Sequence, residues 1–342
     1  ASRARAINGF LQETLASADP VDGQGRDATV VEVLDEAASR VGEAFEEQPA
    51  VEAEIRGTIG QTYYRLGRFE DAERQLRTSL QIQRDLGDED NVRTFETLVH
   101  LAVTLHDRGR FAEAESLYRK ALEVAGEAPE LEPASRTAAL NNLALLLSDQ
   151  GQLEEAERIF RTIIEQDRAT SAEPGPDLAI DLNNLARVLR SRGRLEEAEG
   201  VFRESLAILR DLQHPYAPIV MGNLAATVCA SGEPSQADPM FESALSGARD
   251  ALGEAHSEVV AIRGKHGECL LKHDRPDRAE PLLLEAHHGL TLALGDRHPR
   301  TRKLAALLVE LYETTGRAGE AIPYRDPLAG DALSGDGGSP AS

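Results

Sequence analysis

The chain has 342 residues, 41% of them apolar and 28% charged, and its 59 acidic against 37 basic side chains leave a formal charge of −22. A surface so negative repels phosphate backbones and anionic headgroups, which excludes nucleic acid and the membrane surface as partners. There is no run of 18 apolar residues and no signal-peptide core at the amino-terminal stretch, so the cytoplasm is the expected compartment.

Aromatic residues are sparse, at 4%, and tryptophan is missing, so small and aliphatic side chains must fill the core. Abundant Ala, Leu, Glu and Arg favour helices by intrinsic propensity. The first 50 residues read as a helical lead-in. A polar stretch over 19–28 is expected to be a loop, and a helix is expected from about Thr29 to Glu47.

From residue 51 to 325 the sequence repeats itself. Four corners share a Gly, a variable residue, an apolar residue, two variable residues and an Ala: Gly67 to Ala72, Gly109 to Ala114, Gly151 to Ala156 and Gly193 to Ala198, with their glycines 42 residues apart. A fifth corner follows at Gly232 to Ala237, a degenerate sixth at Asp274 to Ala279 and a seventh at Gly316 to Ala321. Before each corner, apolar residues recur at helical spacing, as in Leu140, Leu143, Ala144 and Leu147. After it they do so again, as in Ala156, Ile159, Phe160 and Ile163. Each unit is therefore a pair of amphipathic helices, with the glycine at the left-handed helix end and the alanine where two backbones approach closely. The expected fold is all-α, a superhelical solenoid of about seven stacked antiparallel helix pairs, the last two degenerate and capping.

Pro239, Pro281 and Pro323 share a register two residues after the corner alanine. A proline is best tolerated in the first turn of a helix, so the second helices of units five to seven are expected to start late. Cys229 and Cys269 lie in neighbouring units without a CxxC spacing and are expected to be small apolar residues in a reducing compartment, neither bridged nor metal-binding. His214, His256 and His298 recur in the loops between units, which points to a structural role in the turn. The composition of 326–342, rich in Gly, Ser and Asp, predicts a disordered tail.

These units resemble the tetratricopeptide repeat, and more narrowly its 42-residue version of the kinesin-light-chain type found in many bacterial proteins. The likeness is carried by Asn141-Asn-Leu-Ala144, Asn183-Asn-Leu-Ala186, the weaker Gly222-Asn-Leu-Ala225, the glycine corner, and Tyr118-Arg-Lys-Ala121-Leu122. His266, Gly267 and Asp274 depart from the pattern. The lead-in is similar to the segment that joins catalytic and repeat regions in some bacterial membrane Ser/Thr protein kinases. That likeness implies a regulatory or sensor role, with the catalytic domain outside this chain.

No phosphate loop, HExxH, GxSxG or kinase catalytic motif is present, so no catalytic, cofactor-binding or metal-ligating residue is assigned and no cofactor is expected. The resemblance implies instead a non-catalytic scaffold that holds a protein or an extended peptide, including one with acidic residues, in a concave groove lined by first helices. Counted back from the corner, Asn142, Asn184 and Asn223 share one register with His100 and Lys265, and Asn141 and Asn183 stand beside them. An amide both donates and accepts, which suits an extended backbone; the same amides could equally bond neighbouring helices across the stack. Arg187, Arg190 and Arg194 form a basic spot able to clamp a carboxylate or phosphate. Of these, Arg190 is expected to pair internally with Asp149 and Arg187 to meet the ligand. The array ends offer a route to self-association.

Overall fold

The computed structural model describes residues 29–87, 91–170 and 173–325. The expected loop at 19–28, the lead-in before it and the expected tail at 326–342 lie outside the described residues. Among the described residues the regular elements are fifteen α-helices and no strand. The chain divides into two compact units, residues 1–159 and 160–342.

The first unit holds α1 (Val30–Ala44), α2 (Pro49–Arg65), α3 (Phe69–Asp85), α4 (Val92–Asp107), α5 (Phe111–Glu127) and α6 (Pro133–Asp149), and the division falls within α7 (Leu153–Thr170). Helix α1 starts at Thr29 because a capping box closes there: Glu32 N donates to Thr29 Oγ1 at 3.3 Å and Thr29 N donates to Glu32 Oε2 at 2.8 Å. Its Ala37, Val41 and Phe45 then pack against Val51, Ile55, Ile59 and Tyr63 of α2, so the lead-in helix covers the open side of the first pair.

The corners explain the repeat. At Gly67, Gly109 and Gly151 the backbone turns through φ of 73°, 74° and 80°. The amide after each glycine donates back into the preceding helix, Arg68 N to Tyr63 O at 2.9 Å, Arg110 N to Leu105 O at 2.9 Å and Gln152 N to Leu147 O at 2.8 Å. This is the helix-ending pattern that satisfies orphan carbonyls through a left-handed residue. Asp274 makes the same turn with φ of 55° where a glycine would stand, which is why the sixth corner survives the substitution. The corner alanines, Ala72, Ala114, Ala156, Ala198, Ala237, Ala279 and Ala321, are each completely buried. One turn on, the side chain is large and equally enclosed, as with Leu76, Tyr118, Phe160, Phe202, Phe241 and Leu283.

The second unit continues with α8 (Pro176–Ser191), α9 (Leu195–Asp211), α10 (Ala217–Ala230), α11 (Pro234–Leu252), α12 (Ser257–Lys272), α13 (Pro276–Leu294), α14 (Pro299–Thr314) and the short α15 (Ile322–Arg325). Within it the first helices of successive pairs touch: α8 packs on α10, α10 on α12 and α12 on α14. The interrepeat histidines terminate loops. His256 and His298 cap α12 and α14, their Nδ1 atoms accepting from Glu258 N and Arg300 N at 3.2 Å each, and His214 Nδ1 accepts from Tyr216 N at 3.2 Å.

Two expectations are corrected. Helices α11 and α13 start early, at Pro234 and Pro276, whose missing amides cost nothing at the first helical position, and Pro239 and Pro281 lie inside them. Both inner prolines are exposed, so the helix loses one internal bond on its water-facing side; only Pro323, in α15, sits in a first turn. Cys229 and Cys269 are joined in a disulfide across Cα atoms 6.1 Å apart. Neighbouring first helices run close enough for side chains from two pairs to meet, which a separation of 40 residues in sequence does not reveal.

Candidate functional site

In the second unit α8, α10, α12 and α14, with Leu290 of α13, line an open cavity of about 230 Å³. Its walls carry apolar groups from Ile219, Val260, Leu290 and Leu304, and its charge comes from Arg187, Lys265, Arg300 and Lys303, faced by Glu258 and Glu268. Periodicity puts these residues together. Arg187 lies six residues before the Gly193 corner, Asn223 and Lys265 each nine before theirs, and Arg300 in the first turn of the next first helix.

The polar contacts are asymmetric. Lys303 Nζ donates to Glu268 Oε2 at 2.7 Å, and Lys272 Nζ donates to Glu268 Oε1 at 2.8 Å. Burial pushes the Glu268 carboxyl up, but the two lysines outweigh it and hold it below its ordinary value. Arg187 and Arg300, in contrast, make no side-chain hydrogen bond or ion pair among the described residues. Lys265 Nζ donates to Asn223 Oδ1 at 2.6 Å, a neutral partner. Burial, then Arg190 and Arg187, push the Lys265 ammonium down to about 7. Burial, then Arg187, push Arg190 down to about 10. The Tyr216 phenol at the edge is raised by burial and then by Glu258. Positive charge is therefore held here at a cost, in a chain that is strongly acidic elsewhere.

The structure divides the expected site residues. Arg187 and Lys265 line the cavity, with Asn223. Asn223 is buried, and both ends of its amide are engaged: Oδ1 accepts from Lys265, and Nδ2 donates to Asn183 Oδ1 at 2.8 Å. Asn183 is fully enclosed, and its Nδ2 donates to Asn184 Oδ1 at 3.3 Å. These amides thus bond helix to helix. Arg190 donates through Nη1 to the Asn223 carbonyl at 3.3 Å, beneath the cavity. Arg194, past the corner, is exposed and pairs with Glu197. In the first unit, Asn141, Asn142 and His100 are half-buried on α6 and α4; burial, then Arg65, lower the His100 imidazole. There Asp149, expected beside Arg190, takes His106 Nε2 at 2.9 Å. Tyr216, Arg300 and Lys303 are site residues that the corner register alone does not select.

Residues 51–127 and 135–211 match a family model described as tetratricopeptide repeat, and residues 220–258 match a second model of the same description, together more than half of the chain. No curated protein matches the sequence. Aspartyl phosphate phosphatase F from Bacillus subtilis is similar in fold, with a TM-score of 0.65 and 13% identity over 100% of this chain and 85% of that one. The Rap protein complexed with competence and sporulation factor superposes with a TM-score of 0.58 and 16% identity over 92% of this chain and 87% of its own. The kinesin light chain nearly identical TPR-like repeats of Podosopora anserina align at 20% identity over 58% of this chain and 96% of theirs, with a TM-score of 0.45. Among the described residues no helix is long and apolar enough to cross a membrane.

Proposed function

Starting from the premise that this chain belongs to the tetratricopeptide-repeat family, whose general role is to scaffold protein interactions, we propose that it binds an acidic protein or peptide segment at the cavity between α8, α10, α12 and α14. The observation that carries this reading is the convergence of Arg187, Lys265, Arg300 and Lys303 on one cavity, with Arg187 and Arg300 in no ion pair among the described residues. Like charges gathered in a low-dielectric wall repel one another, and a ligand carboxylate relieves that repulsion while accepting the charge-assisted bonds that guanidinium groups are shaped to give. The apolar wall from Ile219, Val260, Leu290 and Leu304 suits an aliphatic side chain next to the acidic one. A fold relative complexed with competence and sporulation factor supports a partner of this general kind. Nothing in the reading requires chemistry at the site: the cations position and neutralise the ligand carboxylate.

The test is fluorescence anisotropy with the full chain and two labelled peptides of equal length, one rich in Leu with Glu and Asp, the other its Gln and Asn counterpart. The acidic peptide is expected to bind at least about tenfold more tightly, since charged hydrogen bonds contribute about 1.5–3 kcal/mol each. The preference should disappear in the Arg187→Ala/Arg300→Ala variant with its helical circular dichroism unchanged. Equal affinity for the two peptides contradicts the reading.

A further inference from the structure

A second cluster of ligand-capable side chains lies near the carboxy-terminal ends of α10 and α12. Cys229 and Cys269 are buried, and a ring nitrogen of His273, the residue that ends α12, lies with both sulfur atoms in a group whose members are all within 4.8 Å of one another. His273 follows Cys269 by four residues, the spacing that puts two side chains on one helical face. Its Nε2 lies 3.3 Å from the Cys229 carbonyl oxygen, a contact that holds the ring against α10.

We infer that in the reduced protein Cys229, Cys269 and His273 form a binding site for a thiophilic divalent cation of the zinc class, which takes the place of the disulfide as the link between α10 and α12. Zinc bonds to thiolate sulfur at about 2.3 Å and to imidazole nitrogen at about 2.0–2.1 Å, so donors that share one ion stand at most about 4.6 Å apart. The three donors lie within 4.8 Å of one another, and the two sulfurs, bonded in the disulfide, must move apart to share an ion. Cα atoms 6.1 Å apart leave room for the sulfurs to separate by side-chain rotation, without moving the helices. Three protein donors and a water complete the tetrahedral shell that zinc accepts in open sites.

The chemistry balances. A dithiol reductant delivers two electrons and two protons, the sulfur–sulfur bond breaks, two thiols form, and the dithiol leaves as its own disulfide. Zinc binding then releases the two thiol protons, and two thiolates with a neutral imidazole leave the loaded site without net charge, which suits its burial. Entry is past His273, the half-buried member at the helix end. Two interchangeable links, one covalent and one ionic, would thus hold the same pair of helices. This inference is independent of what the cationic cavity binds.

The experiment uses the full chain in two forms, oxidised and dithiol-reduced, each freed of metal and handled without oxygen, with Co²⁺ as the spectroscopic probe and Zn²⁺ as competitor. The reduced form is expected to take up one equivalent of Co²⁺ with a thiolate-to-cobalt charge-transfer band, lost on adding Zn²⁺ and absent from the oxidised form. Cys269→Ser should abolish the band, and His273→Ala should weaken Co²⁺ binding at least tenfold. A cysteine pair that resists the dithiol, a reduced chain without the band, or a band that survives Cys269→Ser overturns the inference. The first two outcomes are read on the unsubstituted chain, so a variant that fails to fold does not shelter it.

Discussion

Lys265 donates to Asn223 at 2.6 Å, and this bond is the upper end of a polar chain that passes through Asn183 and ties α12 to α10 and α8. The chain sets the height at which the ammonium enters the cavity, so the amide supports the site from beneath. Replacing Asn223 by Leu keeps the branched shape but strips Asn183 and Lys265 of their partner, and leaving buried polar groups unsatisfied costs about 1–3 kcal/mol. Urea denaturation should show that loss, and the Asn223→Leu chain should bind the acidic peptide more weakly. A variant as stable as the parent would show that the chain of amides is not needed.

Lys265 makes binding depend on pH near neutrality. An unfolded lysine titrates near about 10.4, whereas burial and the neighbouring Arg190 and Arg187 bring the folded value down to about 7. Between those values the unfolded chain holds a proton that the folded chain lacks, so this group's contribution to stability rises with pH across the window. The destabilisation is complete below the folded value. Against Lys265→Met, the parent should therefore gain relative stability from pH 7 to pH 9. A bound carboxylate favours the ammonium, so acidic-peptide binding at pH 8 should draw in a proton and tighten as the pH falls towards 7. Calorimetry in two buffers of different ionisation enthalpy measures that uptake; identical heats in both buffers would refute it.

Glycines in two settings give opposite expectations. A Cβ on Gly267 would lie 2.8 Å from Leu283 Cγ and 3.4 Å from the Ala279 carbonyl, so Gly267→Ala overpacks the α12/α13 seam at a cost of about 1–3 kcal/mol. Gly200, in the middle of α9, has nothing within 4 Å, and Gly200→Ala should stabilise by about 0.5–1 kcal/mol. Thermal denaturation of the pair tests both signs at once.

Asp238 gives an acid-sensitive joint outside the site. Arg278 first, with a contribution from His266, holds its carboxyl below the ordinary range against the opposing effect of burial. His266 Nε2 lies 2.7 Å from Asp238 Oδ1, and the imidazole stacks on Phe241 at 4.8 Å. A depressed carboxylate stabilises fully above its unfolded value of about 3.9 and loses that contribution as the pH falls through the folded value. Asp238→Asn should thus be less stable than the parent at pH 6, with the gap closing in acid. A gap that does not change with pH would assign the loss to packing.

The fold is legible in the sequence because one rule, glycine turn followed by buried alanine, recurs at fixed spacing and leaves few other ways to bury the apolar faces. Arg187, Asn223 and Lys265 are legible for the same reason, since the register counted from a corner places them on first helices. Arg300 and Lys303 escape that count: they stand 16 and 13 residues before the Gly316 corner, in the first turns of α14, where Glu258 and Ala261 stand before Asp274 in the preceding repeat. The commitment of Asn183 and Asn223 to each other depends on helix rotation, which an apolar period fixes only coarsely. So does the meeting of Cys229 with Cys269. The proline register misleads because local chemistry favours a first-turn position for Pro239 and Pro281, while Pro234 and Pro276 had already begun those helices.

The central claim is that an acidic segment docks against Arg187, Lys265 and Arg300. The most direct measurement is site mapping by photo-crosslinking: the acidic peptide, carrying a photoreactive group beside its glutamates, is irradiated with the full chain and the adducts are located by mass spectrometry. Adducts confined to the residues that line the cavity, from Arg187 to Leu304, and suppressed by excess unlabelled acidic peptide, are the predicted result. Adducts spread over other helices, or a cavity pattern that excess peptide leaves intact, would contradict it.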